Sequence, residues 1–452
     1  VDFWSGPPQY NRRGPGEHAC IRFLMASLKQ HGKLWISESD IRTNFSEYSP
    51  KNPSLHGRPP SLEETQACLQ REFAHQLCEG GNGWWFQMGK EWYHHEPVLA
   101  LFDRMQHCGE AAMGFDRTSD TDIAAVVDLD SILTGPPWPV TTSLIDAFKV
   151  QETCRLGAPV DYYELDDILA SDAKRYKLYL MLNCFSLSDA ERRLIEKRLR
   201  RRGAVLVWMF APGVFNPDRV PERDVAYTKD LLGFTLNSEA GQRRKLNMKL
   251  TEAGARAFEG FDPQRAFGSF ERPEWVTDPA SGAVKQQVPA ARDLPERFYG
   301  SEEGEVLARF EEGGQPAMVR RCTSKATDIW IGSVVAPADL LRGIARRAGC
   351  HLFCDADEIV YADKSFLAIH TRAAGERTFS LRRKADVVEV FSGDVLARDA
   401  TQFKDTIDAC RTRLYFIGNS EKWADENKRA DLFFERFRQE LGTLRQQQAA
   451  KR

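Results

Sequence analysis

The chain has 452 residues, 42% hydrophobic and 28% charged, with 62 Lys+Arg against 65 Asp+Glu and a net charge of −3. That length holds two to four domains at roughly 100–200 residues each. The composition excludes a mostly disordered chain and leaves no electrostatic case for nucleic acid or an anionic membrane as main partner. No apolar run approaches the roughly 20 residues of a membrane span. The ten cysteines include no CxxC pair; they are too sparse for a disulfide scaffold and point to a reducing, cytoplasmic setting.

Residues 1–112 are rich in aromatics, Gly and His. Lys33–Ser37 (KLWIS) predicts a short buried strand running into Glu38-Ser39-Asp40. Ser61 and Glu64 have capping-box spacing, and Ala67, Leu69, Phe73, Ala74 and Leu77 supply the stripe of a helix that Gly80-Gly81 stops. Trp84–Met88 predicts the next strand and Val98–Met105 the next helix. Strand–helix–strand–helix is the unit of a parallel α/β fold.

Residues 113–350 continue the alternation. Strands are predicted over Asp122–Asp130, Val160–Tyr163, Leu178–Phe185 and Ala204–Phe210. Helices are predicted over Ser143–Leu156, from Ser188 to Arg202, and over Ala338–Ala348. Strands apolar on both faces suit a doubly wound parallel sheet. Residues 214–335, rich in Pro, Gly and charge, are expected as loops and short strands laid over that domain. Residues 351–418 switch to period two, with HLFC, EIVYA, FLAIHT, RTFSL and DVVEVF as strands of a small antiparallel domain. Residues 419–452 are a charged helical tail.

The segment LWISESD sets two carboxylates, Glu38 and Asp40, at a strand's C-terminal end, with Arg42 two residues on. C-terminal strand ends hold the active site in parallel α/β folds. A carboxylate beside Arg stays ionised, as a nucleophile or an electrostatic stabiliser requires; a solvated loop with a local ion pair explains the same spacing. Trp84, Trp85 and Trp92 crowd the next segment. Indole faces suit the C–H faces of sugar rings, and core packing accounts for them too. Of His94 and His95, at most one lines a pocket, because adjacent strand positions face opposite ways. Gly80, Gly81 and Gly83 make no dinucleotide or phosphate loop. Cys184 ends a predicted strand but lacks the glycines of a nucleophile elbow. Cys350, His351 and Cys354 have no second ligand pair, so no metal is expected, and no cofactor.

The stretch YNRRGPG…LKQHGKLWISESDIRT…GGNGWWFQMG…WY resembles the end of the catalytic barrel of glycoside hydrolase family 42, the β-galactosidases. The central series resembles that family's trimerisation domain, which is flavodoxin-like and related to class I glutamine amidotransferases. The stretch from ADLLRGIARRAGCHLFC to DVVEVFSG is similar to the end of that domain running into the family's C-terminal β-domain.

The resemblance implies an α/β multidomain fold. Residues 1–112 would be the last two βα units of a TIM barrel, 113–350 the trimerisation domain, 351–418 the small antiparallel β-domain and 419–452 the tail. It implies retaining hydrolysis of terminal β-glycosidic bonds by two glutamates. LWISE stands as the seventh strand with Glu38 as nucleophile, and GWWFQM as the eighth. The acid/base glutamate belongs to the fourth strand, so a chain starting at Val1 is expected to be the C-terminal part of a longer protein. SESDIRT departs from the family pattern, which leaves Asp40 as a competing candidate and Arg42 as electrostatic support. Trp35, Trp84, Trp85, Trp92 and His94 are the expected substrate contacts. The implied partners are a β-galactoside or related carbohydrate and two further copies in a homotrimer. The alternative is a non-catalytic carbohydrate-binding or assembly protein.

Overall fold

The computed structural model describes residues 1–47, 55–89, 91–134, 140, 143–269, 274–277, 284–287 and 294–449. Parts of the expected loop region 214–335 and the last residues of the tail lie outside these.

Three parallel strands, β1 (Phe3–Gly6), β2 (Leu34–Ser39) and β3 (Asn82–Trp85), form a sheet in that order. Strand β1 is not among the predicted strands: four mostly exposed residues carry no periodicity. Helices α1 (Met25–Gln30) and α2 (Leu62–Cys78) follow β1 and β2. The Ser61 side chain caps α2 by accepting from the Glu64 N–H at 3.2 Å. Strand alternation sorts the side chains. Trp35, Ser37 and Ser39 are buried on one face, while Leu34, Ile36 and Glu38 share the other with Phe3, Ser5, Asn82 and Trp84. That second face is open, with Phe3 51% and Leu34 53% exposed. The outer edges of β1 and β3 pair with no further strand among the described residues. Helix α3 (Glu96–Ala112) follows β3 and is longer than predicted.

The central sheet has eight strands. They are β4 (Ile123–Val127), β5 (Asp161–Glu164), β6 (Leu178–Met181), β7 (Ala204–Met209), β9 (Met248–Leu250), β13 (Glu305–Phe310), β14 (Pro316–Cys322) and β15 (Ala326–Ile331). Separate two-stranded ribbons are formed by β8 (Leu236–Arg244) with β12 (Leu294–Gly300), and by β10 (Glu274–Thr277) with β11 (Val284–Gln287). The order is β5-β4-β6-β7-β15-β14-β13-β9. The first five are parallel and the last three antiparallel. Along the chain the parallel set reads 2-1-3-4-5, one of the common doubly wound orders. The 214–335 stretch thus completes this sheet rather than lying over it. Register pairs Trp330 with Trp208, both fully buried, at its centre. The predicted helix over Ser143–Leu156 has wide π turns to Glu152 and a 3-10 turn to Arg155, and Gly157 ends it at φ +91°.

The C-terminal sheet is antiparallel in the order β16 (Ile359–Ala362), β17 (Phe366–His370), β20 (Thr412–Gly418), β18 (Gly375–Glu389), β19 (Val395–Ile407). RTFSL and DVVEV prove to be one strand, β18. It runs through the exposed Arg382-Arg383-Lys384 with a register shift. HLFC is not a strand. The final helix, Ser420–Ala449, lies against α3, with Trp423 stacked on Phe416 at 5.0 Å. Among the described residues no helix is long and apolar enough to cross a membrane.

Candidate functional site

Glu38 lies near the carboxyl end of the middle strand, on the open face, half-buried and in register with Trp84, which is 42% exposed. Its flanking serines point the other way and anchor the strand to α2. Ser37 Oγ donates to Glu72 Oε1 at 3.2 Å, and Gln76 Nε2 donates to Ser39 Oγ at 2.8 Å and to Glu72 Oε1 at 2.7 Å. Burial raises the Glu72 carboxyl pKa against these hydrogen bonds. Tyr93 Oη reaches the carbonyls of Ser39 at 3.0 Å and Ile41 at 2.7 Å, pinning the strand end. Gly83 allows β3 to come this close: a Cβ there would collide with the Gln76 side chain and the Ser37 carbonyl.

The loop after β1 brings Tyr10 and Arg13 to the same strand end. Arg13 Nη1 bonds Asp40 Oδ1 at 2.6 Å, both side chains buried. The same guanidinium lies 4.5 Å from the Tyr10 ring, and its Nε donates to the His56 carbonyl at 3.0 Å. Burial, then the charge of Asp40 and a hydrogen bond to it, raise the Tyr10 phenol pKa, and Glu38 adds to this. Tyr10 thus stands near the carboxylates of Asp40 and Glu38. The site can place a carboxylate, a phenol and an exposed indole around a polar ligand with an apolar face.

No known family model and no curated protein matches this sequence. Solved structures match its fold. A catalytic mutant of the GH42 β-galactosidase from G. stearothermophilus superposes with a TM-score of 0.54 at 11% identity, over 92% of this chain and 59% of that one. The β-galactosidase from Rahnella sp. R3 gives 0.54 at 13%, over 92% and 60%. That from Bacillus circulans sp. alkalophilus gives 0.50 at 12%, over 85% and 60%. The chain has a GH42-like fold. It spans about three-fifths of the length of these β-galactosidases.

Within this GH42-like fold the predicted site residues separate. Asp40 is fully buried and committed to Arg13, so it does not share the open face with Glu38. Arg42 faces Glu47 at 3.4 Å and covers the Trp92 ring at 4.8 Å, so its partner is Glu47 and not Glu38. Trp35 is buried on the helix side against Phe23. Trp92 is buried with Nε1 on Glu47 Oε2 at 2.8 Å, and Trp85 stacks on Phe102 at 4.5 Å. These three indoles pack the unit instead of lining the open face. His94 is exposed beside the start of α3, and His95 stacks on Phe45. Of the expected contacts only Trp84 shares the face of Glu38.

Tyr10 and Arg13 were not among the predicted site residues. Their signal is the stretch YNRRGPG, where Pro and Gly mark a loop that sets Tyr and Arg beyond a strand too short to recognise. Cys184 lies beyond the end of β6, buried, its thiol pushed well above the usual range by desolvation, so it is an inert core thiol. Among the described residues no three His, Cys, Asp or Glu are grouped to hold a metal. A cavity of about 860 Å³, lined by Trp4, Phe23, Leu28, Ile145 and Lys149, lies between the first unit and the ends of β4 and β5, and takes in neither Glu38 nor Trp84.

Proposed function

We propose that this chain carries the nucleophile portion of a retaining, β-galactosidase-type glycoside hydrolase. Glu38 is the nucleophile and Trp84 the stacking surface for the sugar. The observation that carries this is the place of Glu38: the exposed face of the middle parallel strand, at its carboxyl end, in register with an exposed indole, in a GH42-like fold. Tyr10 and the buried Arg13–Asp40 pair shape the strand end, with Tyr10 donating toward the carboxylates.

Retaining hydrolysis needs a second carboxyl group about 5–5.5 Å from the first. In this proposal β1–β3 are part of a TIM barrel, and the acid/base glutamate comes from strands that would pair with the free edges of β1 and β3. The apolar face bearing Phe3, Leu34 and Trp84 would then line the barrel interior. The central sheet with its 2-1-3-4-5 order is the flavodoxin-like assembly domain, and the homotrimer belongs to the same proposal.

The test is turnover of an aryl β-galactoside by the protein from its source, with Glu38→Gln as the variant. Losing a covalent nucleophile should cut kcat by at least about a thousandfold with the fold unchanged. A variant that keeps near-normal turnover overturns the assignment.

A further inference from the structure

The loop between β1 and α1, which carries Tyr10 and Arg13, is strained. Arg12 and Ala19 hold φ of 61° and 52°, a region that non-glycine residues avoid at a cost. Such a loop keeps its shape only when its surroundings over-determine it. The surroundings here come from two separate parts of the molecule. From α2, Arg71 donates to the carbonyls of Arg13, Gly14 and Glu17 at 2.7–2.8 Å. From the C-terminal sheet, more than 300 residues away in sequence, His370 and Tyr361 reach the same loop.

The hydrogen-bond chain at His370 has one consistent proton order. Thr412 Oγ1 donates its only hydrogen to the Ala67 carbonyl at 2.6 Å. It must therefore accept from His370 Nδ1–H, 2.8 Å away. That tautomer leaves Nε2 with a lone pair, which accepts the Gly16 N–H at 2.8 Å. Tyr361 shows the same logic. Its hydroxyl donates to the His18 carbonyl at 2.9 Å and accepts from His18 Nδ1–H at 2.9 Å. His370 and Tyr361 are both buried.

We propose that the C-terminal β-sheet sets the geometry of the candidate site: His370 and Tyr361 clamp the loop 10–20 from below and hold Tyr10 and Arg13 against the end of β2. They are positioning residues and touch no reacting atom. The consequence for catalysis rests on the hydrolase proposal above, while the clamp itself does not. A sheet fused far along the chain thus becomes a condition for an ordered site.

The test is hydrogen–deuterium exchange on the full chain. His370→Leu removes the acceptor for Gly16. His370→Gln can return an oxygen acceptor at the position of Nε2. Tyr361→Phe removes one hydroxyl and keeps the ring. In His370→Leu and Tyr361→Phe, amide exchange over residues 10–20 should rise about tenfold or more, with β4–β7 unchanged, and His370→Gln should stay near wild type. Unchanged loop exchange in a folded His370→Leu protein, or equal acceleration in the Leu and Gln variants, overturns the clamp. If His370→Leu does not fold, Tyr361→Phe decides, and unchanged loop exchange there overturns it. The readout does not pass through Glu38. A fully active Glu38→Gln protein would remove the hydrolase proposal and leave the clamp standing.

Discussion

Glu38 and Asp40 are two residues apart, so strand alternation alone would put both on one face. The chain turns instead. The Asp40 N–H bonds the Glu38 carbonyl at 2.9 Å, one residue past the end of β2, and this swings Asp40 inward onto Arg13. One carboxylate keeps an open face, and the other becomes half of a buried ion pair. Breaking such a pair leaves the partner charge buried without compensation, which costs about 3–5 kcal/mol. Asp40→Asn should lower the free energy of unfolding by that order in a denaturant titration, because Arg13 loses its counter-charge. A loss under about 1 kcal/mol would mean the pair is solvated in solution, like an exposed one.

At the scale of elements, α2, β2 and β3 meet with little slack. The contact depends on Gly83, whose missing Cβ leaves room for Gln76 and for the Ser37 carbonyl. Overpacking at such a point costs typically about 1–3 kcal/mol. Gly83→Ala should destabilise by that amount, read as a lower denaturation midpoint with an unchanged slope. A neutral substitution would show that the strand and helix can part without cost. The same scale shows where sequence patterns mislead. Helix α2 is legible because a cap, a stripe and a glycine stop coincide. Strand β15 is not, because ATDIWI sits among polar turns and gains its identity from β7 and β14 on either side. Strand β18 reads as two strands because RRKA is a turn composition, yet pairing with β19 on both sides of it, across a register shift between Ser380 and Ala385, keeps it one strand.

At the scale of the molecule, three buried histidines join the first unit to the C-terminal sheet. Burial is the main cause lowering the pKa of His18, His75 and His370, and that of His75 falls to about 3. Neighbouring cations add to it: Lys149 and Arg71 face His18 and His75, and Arg71 and Arg411 face His370. His75 also stacks on Tyr361 at 4.3 Å and lies 4.9 Å from the His18 ring. In the unfolded chain each would titrate near the ordinary value of about 6.5. A depressed folded pKa gives stability that is complete above that value and is lost as pH falls toward the folded one. Buried carboxyls run the other way, Glu72, Glu79 and Glu152 among them. Asp128 is raised to about 6 and Asp363 to about 7, mainly by burial. Their contribution is complete below the ordinary carboxyl range and fades as pH rises through those values. Between about pH 6.5 and about pH 4 the histidines therefore pull Tm down while these carboxyls oppose them, and His75→Gln should remove part of the downward pull, raising Tm at about pH 4 relative to about pH 6.5 against wild type in calorimetric scans. Identical slopes in both proteins would place the acid sensitivity elsewhere.

The order of α/β, α/β and antiparallel parts, the capped helices, and Glu38 at a strand end are legible in the chain alone. Each of these follows from local periodicity, capping chemistry or turn residues, which act over a few positions. The sequence also carried the GH42 resemblance that the superpositions support at the level of fold. Which side chains share a face depends on contacts between distant parts of the fold. Asp40, Trp35, Trp85 and Trp92 turned to partners from other parts of the chain, Arg42 to Glu47 in its own loop, and only Trp84 stayed with Glu38. The structure also recruited Tyr10 and Arg13, through a loop whose strained shape is held by Arg71, Tyr361 and His370. Pairs such as Arg13 with Asp40 and Gly16 with His370, 27 and 354 residues apart, leave no local pattern in a single sequence. Their pairing follows from burial, which makes a polar group removed from water costly unless the fold gives it a partner.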